Sequence, residues 1–149
     1  MLQRLMLAAV LVLLAIACAI VTQSRTLTGK VVSIADGDTL TLLVDQEQIR
    51  VRLEGIDAPE RSQSFGTKAG EALGDLVYAK TVTVRSIGTD RYGRTLGRIF
   101  VRSDAGETID VNARLVEQGF AWWYREYSDD KMLIAADKAA REARRGPLG

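Results

Sequence analysis

Three short polar clusters hold the residues of this sequence that are best suited to chemistry. They are Asp36-Gly37-Asp38-Thr39, the run from Arg52 to Glu60, and Asp90-Arg91-Tyr92-Gly93-Arg94. Each cluster stands where an apolar, strand-like segment begins or ends. Carboxylates occur in all three clusters and arginines in two of them, a combination that suits cation binding and phosphate chemistry. The first cluster alone is also typical of a hairpin turn, because Asp-Gly is a common turn dipeptide.

The composition narrows the chemistry further. The 149 residues include no histidine and one cysteine. Histidine is the usual base near neutral pH and the commonest metal ligand. A single cysteine forms neither an intrachain disulfide nor a thiolate zinc site. We therefore expect any catalysis to depend on carboxylates, arginines and a hard cation.

Asp38 and Asp57 are the natural pair of carboxylates for such a cation. Ca²⁺ and Mg²⁺ prefer oxygen ligands, and Ca²⁺ accepts a mixture of carboxylate, backbone carbonyl and water. Pro59 disfavours the helical conformation at Ala58. One rigid loop can therefore present a backbone carbonyl beside the carboxylates of Asp57 and Glu60.

Arg52 and Arg94 fit the role of phosphate clamps. A phosphodiester gains negative charge as it becomes pentacoordinate, and a forked guanidinium stabilises that charge. Glu60 is a candidate base for an attacking water, since a carboxylate can take this role without histidine. The alternative is that the charged residues of the three clusters form only surface ion pairs.

The beginning of the chain predicts a membrane-directed segment. Leu5 to Val21 are seventeen residues without a charge, and Arg4 precedes them. This length lies between the apolar part of a secretory signal and the shortest spanning helix. We expect residues 1–24 to be a signal peptide or a membrane anchor, with a lipoprotein at Cys18 and a buried helix as alternatives. Residues 25–149 then form one extracytoplasmic domain, secreted or membrane-anchored.

The remainder of the chain has no overall charge. Without Arg4, 19 basic residues stand against 19 acidic residues. Proteins that bind nucleic acid through bulk electrostatics usually have a clear excess of lysine and arginine. Any phosphate binding must therefore depend on local clusters.

The hydropathy pattern predicts five strands and three helices. Period-two alternation places Arg52 on the face opposite the apolar residues of its strand. Asp110 and Ser128 are the expected N-caps of the last two helices, which Gly119 and Gly146 end. The predicted strands are Thr26–Ile34, Thr39–Val44, Gln48–Leu53, Thr81–Arg85 and Thr95–Arg102, and the predicted helices are Ser64–Tyr78, Val111–Gln118 and Asp129–Arg145.

The order of these elements favours an OB-type five-stranded β-barrel with three α-helices, an α+β fold preceded by the N-terminal hydrophobic helix. A helix between the third and fourth strands is the main reason for this prediction. An ordinary α+β sandwich is the alternative.

Taken together, the three clusters resemble those of the staphylococcal-nuclease-like (thermonuclease) family. The shared residues are Asp36-Gly37-Asp38-Thr39, Val51-Arg52-Leu53, Ile56-Asp57-Ala58-Pro59-Glu60 and Asp90-Arg91-Tyr92-Gly93-Arg94, in this order. The resemblance covers Thr26 to Gly146. It implies an OB-fold and Ca²⁺-dependent endonucleolytic hydrolysis of DNA and RNA that leaves 3′-phosphate ends, with Mg²⁺ or Mn²⁺ as alternative metals.

The resemblance also implies a role for each matching residue. Asp38 and Asp57 correspond to the metal carboxylates, and Ala58, a threonine in the best-known member, supplies a ligating carbonyl. Glu60 corresponds to the general base. The remaining matches are Arg52 and Arg94 as the phosphate-binding pair, and Arg91 and Tyr92 as contacts to bound nucleotide.

Four aromatic residues near the C-terminus allow two interpretations. Trp122, Trp123, Tyr124 and Tyr127 follow Gly119. We expect at least two of them to pack in the core, and stacking on nucleic acid bases is the alternative. The predicted function is therefore a monomeric nuclease, with a non-catalytic nucleic-acid-binding or protein-binding module and an envelope-associated structural domain as the competing hypotheses.

Overall fold

The computed structural model describes residues 24–146, which form eight strands and three helices. Residues 1–23, which hold nearly all of the predicted signal peptide or membrane anchor, lie outside this range. The strands are β1 (Arg25–Asp36), β2 (Thr39–Val44), β3 (Glu47–Leu53), β4 (Ile56–Asp57), β5 (Thr81–Thr89), β6 (Thr95–Arg102), β7 (Thr108–Asp110) and β8 (Trp122–Trp123). The helices are α1 (Gly66–Val77), α2 (Val111–Glu117) and α3 (Lys131–Glu142). Between residues 24 and 146, none of the helices has the length and hydropathy needed to span a bilayer.

Five of the strands close into a barrel. β1 pairs antiparallel with β2 and with β5, β2 pairs with β3, and β5 pairs with β6. The barrel closes through a parallel pairing of β3 with β6, in which Val51 lies opposite Thr95. This arrangement confirms the predicted five-stranded OB-type barrel with three helices.

The core lies inside the barrel and beneath the helices that cover it. Alternate residues of each strand face inward, so the short apolar residues of β2, β3, β5 and β6 are fully buried. The helices add one apolar stripe each. Representative buried residues are Leu40, Leu42, Val51, Leu53, Val84 and Ile99 from the strands, and Leu73, Val77, Leu115 and Leu133 from the helices.

A second sheet of two short strands was absent from the sequence prediction. β4 pairs antiparallel with β8, with Ile56 opposite Trp123 and Asp57 opposite Trp122. The Tyr124 amide also donates a hydrogen bond of 3.0 Å to the Gly55 carbonyl. The segment that carries Asp57 is therefore fastened to the aromatic segment that precedes α3.

Two polar side chains fasten the helices to the barrel. Asn112 in α2 is fully buried, accepts a hydrogen bond from the Ile99 amide and donates one to the Glu54 carbonyl. Arg98 on β6 forms ion pairs with Asp110 and Asp130, which cap α2 and α3. One strand therefore holds the N-termini of both helices.

Three predicted helix boundaries were wrong. The first helix begins at Gly66, because Phe65 takes a left-handed conformation with φ of 67°. The last helix is capped by Asp130 and not by Ser128, since the Asp130 carboxylate accepts hydrogen bonds from the Met132 and Leu133 amides. The same helix ends at Glu142, before the expected stop at Gly146.

Candidate active site

The turn between β1 and β2 presents Asp38. Asp36 pairs with Thr39, so Gly37 and Asp38 form a two-residue hairpin loop. A Cβ at Gly37 would stand 2.6 Å from the Ala69 Cβ of α1. Glycine is therefore needed for the helix to pack directly on this turn.

The Asp38 carboxylate is buried, with 6% of the residue exposed. Its Oδ2 accepts a hydrogen bond of 2.9 Å from the Ala58 amide, and its Oδ1 accepts one of 3.1 Å from the Thr39 hydroxyl. Burial raises the pKa of Asp38 to about 7; Arg52 opposes this rise, and the negative charge of Asp36 adds to it. The turn thus holds a carboxylate whose negative charge is only partly compensated.

Arg52, at the end of β3, joins the two predicted metal carboxylates. Its Nη2 lies 3.1 Å from Asp38 Oδ2 and 3.0 Å from Asp57 Oδ1. Its Nη1 donates hydrogen bonds of 2.7 Å and 2.9 Å to the carbonyls of Leu53 and Ile56. Arg52 therefore donates three side-chain hydrogen bonds, to two carbonyls and to Asp57, and forms an ion pair with Asp38.

Arg94 approaches the same turn from the hairpin between β5 and β6. Its Nε donates a hydrogen bond of 2.7 Å to Asp90 Oδ2, and its Nη1 lies 3.5 Å from the Thr39 hydroxyl. Desolvation raises the pKa of Asp90, but the hydrogen bonds from Arg94 and Tyr92 outweigh it and leave this pKa below its ordinary value. Asp90 therefore stays ionised and orients Arg94, a positioning role that we did not predict from the sequence.

Glu60 lies on the exposed turn that precedes α1. Its amide donates a hydrogen bond of 2.7 Å to the Gln63 side chain, and its carbonyl accepts one of 2.8 Å from the Gln63 amide. Its carboxylate has no hydrogen bond or ion pair with the residues from 24 to 146. Of the predicted site residues, Asp38, Arg52, Asp57 and Ala58 are in direct contact with one another, and Glu60 is adjacent along the chain.

A cleft of about 640 Å³ opens beside these residues. Arg52 and Arg94 line it, together with the predicted nucleotide contacts Arg91 and Tyr92. The guanidinium of Arg91 lies 4.9 Å from the centre of the Tyr92 ring, and that of Arg94 lies 5.5 Å from it. The cleft therefore combines positive charge with an exposed aromatic face.

The prediction that at least two of the four aromatic residues pack in the core was wrong, because Trp123 alone of the four packs against it. Trp123 is half-buried against the core, and its indole N–H donates to the Ser128 carbonyl. Tyr124 and Tyr127 are exposed, their ring centroids lie 4.7 Å apart, and both line the cleft. The pairing of β8 with β4 brings the tyrosines there, and nothing in the local sequence indicated that pairing.

The carboxylates that meet at this site are few. In the described part of the chain, no group of three or more acidic, histidine or cysteine side chains is arranged to hold a metal ion. The two carboxylates that converge are Asp38 and Asp57.

The fold and the site define an OB-type barrel with two convergent carboxylates and two arginines at one end. Residues 50–147 match the family model described as staphylococcal nuclease homologue. The chain belongs to this family, which confirms the resemblance seen in the sequence.

Curated relatives support the same assignment. The chain is 44% identical over 126 residues to Protein ParB of Escherichia coli, covering 80% of this chain and 71% of that protein. It is 44% identical over 124 residues to a micrococcal nuclease of Shigella flexneri, covering 79% of this chain and 71% of the relative. An uncharacterized endonuclease of Haemophilus influenzae is 44% identical over 115 residues, which cover 76% of this chain and 62% of that protein. The family and these relatives support a nuclease function.

Proposed function

We propose that this chain is a metal-dependent endonuclease that hydrolyses phosphodiester bonds of DNA and RNA with little sequence preference. The observation that carries the proposal is the convergence of Asp38 and Asp57 on the Arg52 guanidinium. Arg94 approaches the same turn, and an open cleft lies beside it. Two anionic groups and two cationic forks in one place suit a cation and a phosphate together.

The donor set fits a hard divalent cation. Two carboxylates, one from the turn between β1 and β2 and one from β4, converge within about 3 Å of one positively charged nitrogen, and burial leaves Asp38 without full charge compensation. We assign Asp38, Asp57 and the Ala58 carbonyl as the residues that would hold the cation. Ca²⁺ fits such a mixed oxygen set, and Mg²⁺ binds through one or two carboxylates while keeping several waters. When bound, the cation would supply positive charge to a phosphate oxygen.

The two arginines bind the phosphate in this proposal. Guanidinium groups donate paired hydrogen bonds to phosphate oxygens and stabilise the charge that develops on them. Arg52 Nη2 donates to Asp57 and lies 3.1 Å from Asp38, so a phosphate at this nitrogen competes with both carboxylates. Phosphate binding at Arg52 therefore depends on whether Asp38 and Asp57 contact Arg52 or hold the cation.

Glu60 accepts the proton of the attacking water. Glu60 is exposed and its carboxylate makes no hydrogen bond or ion pair within residues 24–146, whereas Asp38 and Asp57 are engaged by Arg52. A carboxylate placed within hydrogen-bond reach of the water is sufficient for this step. The substrate itself supplies the leaving oxygen.

The cleft also suits a substrate of variable sequence. Exposed tyrosines stack on any base, because every base has an aromatic face. Tyr92, Tyr124 and Tyr127 line the cleft. The residues that line it include no asparagine or glutamine, whose side-chain amides could recognise a particular base. We further propose that the protein works as a monomer outside the cytoplasm, secreted or held by its N-terminal segment, as the sequence of residues 1–24 indicates.

The test is cleavage of single-stranded DNA by the purified full-length chain with Ca²⁺, with Mg²⁺, with Mn²⁺ and with a chelator. Glu60→Gln is measured beside Glu47→Gln, which alters an exposed glutamate at the beginning of β3. We expect cleavage with a divalent cation, no cleavage with the chelator, and a large loss of turnover for Glu60→Gln alone. A folded wild-type chain that binds DNA but cleaves nothing with any metal would favour a binding module instead.

A further inference from the structure

Ile87 is an exposed aliphatic residue in the middle of a β-strand. The register of β5 with β6 shifts between Ser86 and Gly88, so Ile87 occupies a bulge. Gly88 has φ of 149°, a conformation that favours glycine,, and its amide lies 3.3 Å from the Ser86 hydroxyl. A bulge redirects a side chain, and Ile87 is left 62% exposed.

Two grooves meet at Ile87. It lines the cleft that contains Arg52 and Arg94, and it also lines a second groove of about 510 Å³. The second groove lies between the beginning of β1, the middle of β3 and the hairpin of β5 and β6. Its lining includes Arg25, Leu27, Ile49, Ser86 and Thr95.

The chain itself connects the two grooves. Arg94 lines the cleft, and the next residue, Thr95, lines the second groove. Leu96 pairs with Gly88 and belongs to the cleft again. The beginning of β6 therefore borders the cleft on one face and the groove on the other, and Ile87 lines both of them.

The second groove has the chemistry of a strand-binding surface. Leu27, Ile49 and Ile87 provide apolar contacts, and Ser86 and Thr95 provide hydroxyl groups. Arg25 is exposed and supplies a positive charge, and no carboxylate is present among the described residues that line the groove. Apolar surface beside an arginine fits the sugar and base of a nucleotide next to its phosphate.

We propose that this groove binds the nucleotide that follows the one held in the cleft, with Ile87 packed between the two. The inference rests on the proposed nuclease function and extends it, because it assigns a second nucleotide subsite. The occupant is the continuing single strand of the substrate. A short apolar side chain can separate neighbouring bases, so Ile87 favours strands whose bases are free to unstack.

The test compares a thymidine dinucleotide, which fills only the cleft, with an octathymidylate, which extends into the groove. The full-length chain, Ile87→Thr and Arg25→Gln are measured for kcat/KM and for binding by fluorescence anisotropy. Leu43→Thr is the control, because Leu43 is an exposed aliphatic strand residue outside both grooves.

We expect Ile87→Thr to lower the affinity and kcat/KM for the octamer about fivefold and those for the dinucleotide by less, because Ile87 also lines the cleft. Arg25→Gln should lower the slope of log affinity against log salt by about 0.7 for the octamer alone. Leu43→Thr should change neither substrate. Equal effects of Ile87→Thr on both substrates, or none on octamer binding, would overturn the proposal.

The two proposals fail in different ways. If the wild-type chain cleaves neither substrate, the nuclease function fails, while the anisotropy of the octamer still tests the groove. If the wild-type chain cleaves both substrates and Ile87→Thr has the same kcat/KM and affinity for them as the wild type, the proposed groove is contradicted and the nuclease function stands.

Discussion

Gly66 lies against Glu60 so closely that a Cβ at Gly66 would stand 1.8 Å from the Glu60 carbonyl oxygen. The first residue of α1 therefore determines where the turn bearing the proposed base can run. The Gly66 amide also donates to the Gln63 carbonyl, which closes the same turn. The helix and the candidate catalytic glutamate are one packed unit.

Gly66→Ala should displace the turn that carries Glu60. We expect a fall in kcat of about tenfold or more, since small displacements of catalytic groups are costly. Gly74→Ala, in the same helix, is the matched control, because a Cβ there meets nothing closer than 3.9 Å. The control should raise the free energy of unfolding by about 0.5 to 1 kcal/mol. Full activity of Gly66→Ala would contradict this account of the turn.

Arg94→Lys keeps a positive charge but removes the planar fork that Asp90 orients,. We expect kcat to fall about a hundredfold, as for the loss of one transition-state donor. Arg102→Lys is the control, because Arg102 is exposed and donates only to the Gly106 carbonyl. Steady-state cleavage of single-stranded DNA measures both variants. Equal kcat for Arg94→Lys and the wild type would remove Arg94 from the proposed phosphate site.

The raised pKa of Asp38 predicts a pH-dependent stability in the metal-free protein. A carboxyl whose pKa rises from 3.8 to about 7 on folding favours the folded state at low pH,. That contribution is complete below pH 3.8 and is lost as the pH rises through about 7. In Asp38→Asn this loss is absent, so the Tm of the variant minus that of the wild type should increase from pH 4 to pH 8.

Thermal unfolding with a chelator present measures this difference. Glu54 also has a pKa raised by burial, but it is present in both proteins and cancels in the comparison. If the difference in Tm between Asp38→Asn and the wild type stays the same from pH 4 to pH 8, the pKa of Asp38 is not raised in the folded protein.

Asp130 should contribute more than Asp129 to the free energy of unfolding. Its carboxylate caps α3 and pairs with Arg98, whose Nη2 is buried without a hydrogen bond in the described structure. Asp130→Ala should lower the free energy of unfolding by about 2 kcal/mol, from the lost cap and the lost partner of a charged group. Asp129→Ala, at an exposed position, should change it by less than about 0.5 kcal/mol. Urea denaturation of both variants distinguishes them, and equal losses would argue against the cap.

The sequence by itself determined the five barrel strands, the barrel and the identity of the polar clusters. Period-two alternation in β3 and the turn residues around Asp38 are local signals, so Arg52 and Asp38 could be assigned to neighbouring strand ends. The motif order then indicated the nuclease family, which the comparisons confirm. The roles of the eight matching residues stay predictions.

Tertiary structure alone decided which of these groups touch. The contact of Arg52 with Asp38 depends on the pairing of β2 with β3, in which Arg52 lies opposite Thr39, and its contact with Asp57 depends on the turn between β3 and β4. The position of Tyr124 and Tyr127 depends on the pairing of β8 with β4, and residues in these two strands are more than sixty positions apart. Such pairings depend on how the whole chain closes, because backbone hydrogen bonds between distant strands carry no signature in either local segment.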